Sequence, residues 1–225
     1  MFKVGQPPTS QPHVRPQQRD PRIKTFLADV LLAVADRVDD AVRAARRHRV
    51  RQTLGACGAG VTFETVLALE HPERIHVGSG TYFGHDLVMK AMHGYDGAIR
   101  IGDGCVIVNQ VQLLSAYGIE LGRGVTIGSR VTIVDHNHGM SPGRSVFKQP
   151  FHGAPVRIGD YCWIGEGAII LPGVNLGEGC VVGANAVVTK SFEPYAIIAG
   201  VPARIVSRRD APCVLSTTHP DTPST

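Results

Sequence analysis

The sequence of 225 residues predicts an all-β solenoid, in which a parallel β-helix of about five coils follows an N-terminal α-helix and carries an extruded loop. Three observations support this fold class. Apolar residues recur every six positions beyond residue 75, glycine is abundant at 26 residues, and a long insertion interrupts the six-residue period. Many glycine turns around an aliphatic core argue against a helical bundle.

The two ends of the chain differ in composition from its body. Residues 1–22 and 207–225 are rich in polar residues and proline and offer little to bury, so we expect flexible segments there. No apolar run reaches the roughly 18 residues of a membrane span, and the N-terminus lacks the apolar core of a signal peptide. The sequence therefore predicts a cytoplasmic protein.

Residues 23–56 form the predicted helical region. Val30, Val34 and Val38 recur every four residues, and neither Gly nor Pro interrupts the stretch from residue 24 to 52. The last turns carry a basic cluster of Arg43, Arg46, Arg47, Arg49 and Arg51. Cations suit a helix C-terminus, so this cluster is either a solvated face or a peripheral contact with a membrane surface. We expect no nucleic-acid partner.

The six-residue period defines residues 57–206 as the solenoid domain. Its apolar anchors, many followed by Gly, fall into five groups of three: 77/83/89, 101/107/113, 121/127/133, 158/164/170 and 176/182/188. Residues six apart lie about 120° out of register on an α-helix, so this stripe is not helical. Three short strands per 18 residues instead return the chain above its own start.

A second inward position follows four residues after each anchor, and three cysteines share it. Cys105, Cys162 and Cys180 occupy positions where other coils place small or aliphatic residues. Free cysteine is among the most buried residue types, so we expect reduced core residues. Five cysteines without a CxxC pair also argue against a disulfide framework or a thiolate zinc site, and we expect no metal.

The longest interruption of the period lies between Ile133 and Ile158 and exceeds one step by 19 residues. Loops of this length in a compact coil are uncommon unless they carry function. The sequence therefore predicts that residues 139–157 form a loop extruded from the solenoid. A shorter interruption falls at residues 90–100.

Residues 75–206 resemble the hexapeptide-repeat acyltransferases, most closely in the segment from Pro155 to Val206, which includes IGDYCWIGEGAIILPGVNLGEGC and GVPARIV. The sugar, polysaccharide and xenobiotic O-acetyltransferases of that family are the most similar. The resemblance implies a left-handed parallel β-helix, a handedness on which the period is silent. It also implies a homotrimer with acetyl-CoA in the groove between subunits and a histidine as general base.

The segment VTIVDHNHG lies where similar O-acetyltransferases carry their catalytic histidine. His138 stands five residues after the anchor Ile133, the spacing found in galactoside acetyltransferases, and is the first candidate. Asp135 and His136 resemble the Asp-His pair of serine acetyltransferases and are the second. Neutral imidazole suits the removal of a proton from an attacking hydroxyl near pH 7.

The same resemblance implies positions for the co-substrate and the acceptor. Acetyl-CoA is expected to meet Trp163, Gly165 and Ala168 along its pantetheine arm and Lys190 and Arg204 at its phosphates. The expected acceptor residues are Asn109 and Gln112, because amides suit hydroxyl-rich molecules.

We therefore expect transfer of an acetyl group from acetyl-CoA to a hydroxyl of a sugar, in a surface polysaccharide or its precursor. Three alternatives stay open. The acceptor is instead a small molecule such as a xenobiotic, serine or a simple sugar; the chain is a zinc enzyme like the γ-carbonic anhydrases; or it is a rigid scaffold without activity. Stoichiometric zinc would indicate the second alternative, and the lack of CoA binding the third.

Overall fold

The computed structural model describes the backbone of residues 21–209 and the side chains of residues 32–38 and 40–209. The predictions made for residues 1–20 and 210–225 lie outside the described residues. The chain divides into two compact units, one up to Ala45 and one from Arg46 onward.

A single long helix, α1, precedes the solenoid and spans Pro21–Thr53. The predicted helix is confirmed, although the valine stripe on it is exposed at Val34, Val38 and Val42. In the second unit, Val50 of the last turns packs against the core cluster that also contains Leu54. None of the helices in residues 21–209 is both long and apolar enough to cross a bilayer. Contact of the arginine cluster with a membrane surface stays a prediction.

Short strands wind from Ala56 to Arg208, three to each coil. The first three coils contain β1 Ala56–Cys57, β2 Thr62–Phe63, β3 Val66–Glu70, β4 Ile75–Val77, β5 Tyr82–Phe83, β6 Leu87–Ala91, β7 Ile99–Ile101, β8 Val106–Ile107 and β9 Gln112–Ser115. The later segments are β10 Ile119–Leu121, β11 Thr126–Ile127, β12 Thr132–Val134, β13 His136–His138, β14 Phe151–Gly153, β15 Val156–Ile158, β16 Trp163–Ile164, β17 Ile169–Ile170, β18 Asn175–Leu176, β19 Val181–Val182, β20 Val187–Val188, β21 Ala196–Ala199 and β22 Arg204–Arg208.

Three parallel sheets form the faces of the solenoid. We call them face A (β1-β4-β7-β10-β15-β18), face B (β2-β5-β8-β11-β16-β19-β21) and face C (β3-β6-β9-β12-β17-β20). Apart from the inserted strands β13 and β14 and the incomplete last turn, every third strand therefore pairs in register with the strand one coil below, as the period predicts. The last strand, β22, adds to the face B sheet in antiparallel orientation.

The predicted number of about five coils is too low, because the strands make about seven turns. The missed first coil places Cys57, Phe63 and Leu69 in register with the anchors of the next coil. These residues keep the six-residue step, but the column begins with a cysteine instead of an aliphatic residue. An incomplete turn ends the solenoid, where β21 pairs with β19. The left-handed sense of the coil stays a prediction from the resemblance.

The core lies inside the triangular coil and consists of the anchors and the second inward positions. All five anchor groups are buried, and so are Cys105, Cys162 and Cys180. The first two complete coils are joined by Phe63 and Phe83, whose rings stack with centroids 4.7 Å apart. Full burial of one such side chain contributes about 1.5–3 kcal/mol to folding.

Glycine after a face A anchor is required by the close stacking of coils. A Cβ added at Gly102 would come within 2.6 Å of the Gly122 carbonyl carbon, and one at Gly78 within 2.6 Å of the Gly102 carbonyl carbon. Each coil therefore admits only hydrogen at this corner.

The long insertion folds as an antiparallel hairpin outside the three faces. Strands β13 and β14 pair His138 with Phe151 and His136 with Gly153, and a short 3-10 helix at Val146–Lys148 lies between them. The chain leaves the solenoid after Val134 and returns to face A at Val156. The predicted loop, 139–157, thus contains the distal part of the hairpin and also the first residues of β15.

Candidate active site

The hairpin carries all three predicted catalytic residues at its base. Asp135 follows β12 directly, and His136 and His138 are the two ends of β13. Alternate residues of a strand point to the same side, so the two imidazoles project from one face of the hairpin. The structure therefore brings this predicted group together.

Asp135 is a buried carboxylate with a full set of donors. Its oxygens accept hydrogen bonds from the Ser115 hydroxyl at 2.9 Å and from the backbone N–H groups of Ala116, Tyr117 and Gly118 at 2.6–2.8 Å. Burial acts to raise the pKa of Asp135, but the bonds from His136 and these amides outweigh it and lower the pKa. Asp135 is therefore held as the anion.

His136 is fixed by that anion. Its Nδ1 lies 3.0 Å from Oδ1 of Asp135, and its side chain is only 7% exposed. A carboxylate can only accept, so Nδ1 carries the proton and Nε2 is the basic nitrogen of the neutral ring. The ring also packs against Phe151, with centroids 4.3 Å apart.

His138 is more accessible but has less polar support. Its side chain is partly exposed, whereas its Nδ1 is buried and has no hydrogen-bond partner among the described residues. The ring meets Phe151 edge-on at a centroid distance of 4.7 Å and at 81°. Because Nδ1 is enclosed, Nε2 is the nitrogen that a bound molecule can reach.

The distal part of the hairpin is closed by Gln149, a buried side chain between exposed neighbours. Its Oε1 accepts from the Ser141 N–H at 2.8 Å, and its Nε2 donates to the carbonyls of Ser141 and Arg144 at 3.1 and 3.3 Å. The surrounding apolar side chains point outward, and Phe147 is 87% exposed. One side chain thus ties together both arms of the tip.

Sequence reasoning missed the residues that support the hairpin. Ser115 binds Asp135, while Tyr95 and Tyr117 contact Phe151. The available signal for Tyr95 was its place in the interruption at residues 90–100, where the chain departs from the period. Nothing in the spacing connects that turn with Phe151, 56 residues later.

The predicted contacts of the pantetheine arm lie in the fifth coil. Trp163 on β16 is 55% exposed on face B. Gly165 is a stacking glycine, since an added Cβ would lie 2.6 Å from the Val182 carbonyl oxygen. Ala168 is fully buried, and its carbonyl accepts from the Thr132 N–H. Its side chain is therefore part of the core, and Trp163 is the residue of the three with a free surface.

The two predicted phosphate-binding cations are exposed near the end of the solenoid. Lys190 follows β20, and its Nζ lies 5.6 Å from the centroid of the Phe192 ring. Arg204 begins β22, and its Nη1 donates to the Ala203 carbonyl. Neither side chain forms a salt bridge among the described residues. Both charges are therefore available to an anion.

The structure separates the two predicted acceptor residues. The side-chain Oδ1 of Asn109 accepts from the His85 N–H at 2.8 Å and so joins adjacent coils. Gln112 instead lines a shallow groove of about 380 Å³ on face C, together with Leu67, Asp86, Val88, Gln110 and Arg130. Gln112 pairs with Thr132, three residues before Asp135. Gln112 is exposed, whereas Asn109 is half-buried.

Among residues 32–38 and 40–209, no group of three or more His, Cys, Asp or Glu side chains is placed to hold a metal ion. The cysteines described there, Cys57, Cys105, Cys162 and Cys180, are free thiols. Burial raises the pKa of the Cys105 thiol, consistent with an inert core residue.

Comparison with known proteins extends these observations. A family model described as "Hexapeptide repeat of succinyl-transferase" matches residues 155–190. The Escherichia coli (strain K12) protein WbbJ, named as an O-acetyl transferase of lipopolysaccharide biosynthesis, is 37% identical over 120 residues; the match covers 50% of this chain and 61% of WbbJ. A Dictyostelium discoideum protein named as an acetyltransferase is 33% identical over 161 residues, which cover 72% of each chain.

The chain belongs to the hexapeptide-repeat acyltransferase family. The relation to the Dictyostelium protein decides this, because it extends over most of both chains. Among solved structures, a mutant of AntD, an N-acyltransferase from Bacillus cereus in complex with dTDP and coenzyme A, superposes with a TM-score of 0.64. At 23% identity, covering 73% of this chain and 89% of AntD, that likeness shows the shared fold alone.

Membership explains the stacked anchors, the glycine corners and the cysteines of the core as features of one repeat. The distribution of the matches is uneven, since the family model lies within coils five and six and excludes the hairpin. The histidine pair, Tyr95, Tyr117 and the face C groove all lie outside the segment that the family model matches.

Proposed function

We propose that this protein transfers an acetyl group from acetyl-CoA to a hydroxyl of a sugar, with His138 as the general base. The observation that carries the proposal is the contrast between two imidazoles on one strand. His136 is buried and bound to Asp135, whereas His138 is partly exposed and presents Nε2 to an arriving molecule. The name of WbbJ supports a saccharide acceptor.

The reaction follows from the chemistry of an imidazole beside a thioester. Nε2 of His138 removes the proton of the acceptor hydroxyl while its oxygen attacks the thioester carbonyl. The tetrahedral adduct collapses with cleavage of the carbon–sulfur bond, and the departing thiolate receives the proton from the imidazolium. The products are the O-acetyl ester and CoA thiol, and a general base contributes about 10²- to 10⁴-fold to such a step.

Trp163, Lys190 and Arg204 supply contacts suited to acetyl-CoA. The indole offers an exposed flat surface to the pantetheine arm, and the two cations suit phosphate groups. We place the acceptor beside the hairpin, where Gln112 on face C is the amide with a free surface. A small molecule is the alternative acceptor, and the experiment below tests it alongside the saccharides.

The proposal includes a homotrimer, in which the site lies between subunits. Face B supports it with a row of exposed side chains, because the aligned residues Tyr82, Val106 and Trp163 are each at least 38% exposed. The half-buried Thr126 lies between Val106 and Trp163 in this row. Such a row favours burial against another subunit. Sedimentation equilibrium of the purified protein tests this part, and a monomer at micromolar concentration would contradict it.

The decisive experiment measures thiol release from acetyl-CoA across a panel of acceptors that includes saccharides, lipid-linked saccharides and small xenobiotic alcohols. We expect His138→Ala to lower kcat by about 10²- to 10⁴-fold. The matched control is His152→Ala, an exposed histidine on the partner strand of the same hairpin, which should retain wild-type activity.

Full activity of His138→Ala would remove it as the base. Loss of activity in His136→Ala alone would assign that role to the Asp135–His136 pair. Metal analysis of the same preparation separates the carbonic-anhydrase alternative, because stoichiometric zinc would overturn the proposal.

A further inference from the structure

We propose that Tyr95 and Tyr117 are positioning residues that hold the imidazole of His138 in place through Phe151. This inference rests on the role proposed above for His138. It assigns a purpose to the interruption at residues 90–100, which the repeat does not explain.

The ring of His138 must be oriented by an interaction other than a hydrogen bond at Nδ1. A catalytic imidazole is usually aligned by an acceptor at its second ring nitrogen, as Asp135 aligns His136. For His138 that nitrogen, Nδ1, is buried without a partner among the described residues. Packing must therefore set the angle of the ring.

Phe151 provides that packing. It lies directly opposite His138 in the β13–β14 pair, and its ring meets the imidazole edge-on at 4.7 Å. The same ring contacts His136 at 4.3 Å. Aromatic pairs have preferred geometries and contribute about 0.5–1.5 kcal/mol beyond area burial. Phe151 thus packs against both imidazoles, and for His138, which has no hydrogen bond at Nδ1, this packing sets the angle of the ring.

Two tyrosine hydroxyls determine the position of Phe151. The Phe151 N–H donates to the Tyr95 hydroxyl at 2.6 Å, and the Tyr117 hydroxyl donates to the Phe151 carbonyl at 2.8 Å. Both backbone groups point away from β13, so they would otherwise be the open edge of a two-stranded sheet. The Tyr95 ring also stacks on Phe151 with centroids 5.0 Å apart.

The tyrosines are themselves anchored to the solenoid. The Tyr117 N–H donates to Asp135, so this residue binds the segments leading into β13 and within β14 at once. The turn that carries Tyr95 is held by Arg74, whose guanidinium donates to the carbonyls of Met92 and Tyr95. The hairpin is therefore bound to two successive turns of the solenoid.

Tyr95→Phe and Tyr117→Phe remove one hydrogen bond each and retain the ring. We expect each variant to lower kcat by about 10-fold and the double variant by about 100-fold, because displacement of reacting groups by about 1 Å costs up to 10²-fold. KM for acetyl-CoA should stay within twofold, and the melting temperature within a few degrees. Tyr161→Phe, at an exposed corner of the solenoid, is the matched control and should change neither kcat nor KM.

A measurement without an acceptor separates this inference from the proposed function. In histidine-labelled protein, the NMR signal of the His138 ring should shift or broaden in both variants and stay unchanged in Tyr161→Phe. Phe151→Leu should reproduce this effect, because it removes the ring on which the tyrosines act.

Three outcomes are informative. Wild-type kcat and an unchanged ring signal in the double variant, with His138→Ala inactive, would overturn the inference and leave the proposed function standing. A loss confined to stability would also overturn it, since it would indicate a structural role alone. Full activity of His138→Ala would remove the proposed base, and a shifted ring signal would then still establish that the tyrosines hold His138.

Discussion

Nδ1 of His136 lies 3.0 Å from Oδ1 of Asp135, and both side chains are buried where the hairpin leaves the solenoid. The carboxylate also accepts bonds from Ser115 and from three consecutive backbone amides. It therefore links the extruded segment to the turn of the preceding coil. These donors favour the ionised form of Asp135, so the stability that this carboxylate contributes depends on pH.

Asp135→Asn should destabilise the protein by about 3 kcal/mol, because an amide cannot accept from all five donors and leaves buried groups unpaired. The folded-state pKa of Asp135 lies below the ordinary value of 3.8. Its stabilising contribution is therefore complete above about pH 4 and is lost as the pH falls through the lower folded-state value.

Urea unfolding of wild type and Asp135→Asn between pH 2.5 and 7 measures this contribution. The difference in the free energy of unfolding should be constant at neutral pH and shrink in acid. Asp103→Asn, an exposed carboxylate at another corner, is the control and should show a smaller difference. An Asp135→Asn difference that grows as the pH falls would contradict the assignment.

Gly153→Ala should separate the two strands of the hairpin at its base. An added Cβ would collide with the Asp135 carbonyl oxygen and come within 2.7 Å of the His136 Cα. Both are backbone atoms, so the strands must move apart and both imidazoles with them. We expect a loss of about 1–3 kcal/mol in stability and a large loss of kcat.

The control for this substitution is Gly143→Ala in the same hairpin. Gly143 has a left-handed φ of 76° but no atom within 4 Å of an added Cβ, so the cost is conformational strain of about 1 kcal/mol. Chemical denaturation and thiol-release assays compare the two. Equal activity in both variants would show that the spacing of the strands at Gly153 is not required.

Gln149→Ala should loosen the tip of the hairpin without unfolding the solenoid. The Ser141 N–H loses its acceptor, so its amide hydrogen should exchange about five- to tenfold faster, equivalent to roughly 1 kcal/mol. Gln149→Glu keeps that acceptor but places a carboxylate against the carbonyls of Ser141 and Arg144. Slower exchange at Ser141 in Gln149→Ala than in wild type would refute the role of this side chain.

The sequence predicted the solenoid because its physical cause is local. Every sixth side chain points inward, and the columns of anchors therefore appear in the sequence as a period. The count of coils was too low where the columns begin with Cys57 instead of an aliphatic residue. If anchors are identified by the six-residue spacing alone, whatever their side chain, then Cys57, Phe63 and Leu69 define the first coil.

The candidate site was only partly predictable from the sequence, because the residues that hold its side chains in place lie far from them along the chain. The motif containing Asp135, His136 and His138 is contiguous, so the sequence alone identified it as a candidate. The bonds that hold it come from Ser115, which lies in the preceding coil, and from Tyr95, 56 residues before its partner. No period relates such positions, and only the folded chain brings them together.

Lys190→Ala and Arg204→Ala should each weaken binding of acetyl-CoA by removing an exposed cation. We expect KM to rise about two- to fivefold per variant, the magnitude typical of solvent-exposed charge pairs, with kcat nearly unchanged. The sharper measurement repeats the assay with acetyl 3′-dephospho-CoA. If either cation binds the 3′-phosphate, its variant should show no additional loss with this substrate.

Arg100→Ala, an exposed arginine of β7, is the matched control and should keep the wild-type KM for both substrates. A KM for acetyl-CoA that stays at the wild-type value in both variants would contradict these positions, and the phosphates would then need cations from elsewhere.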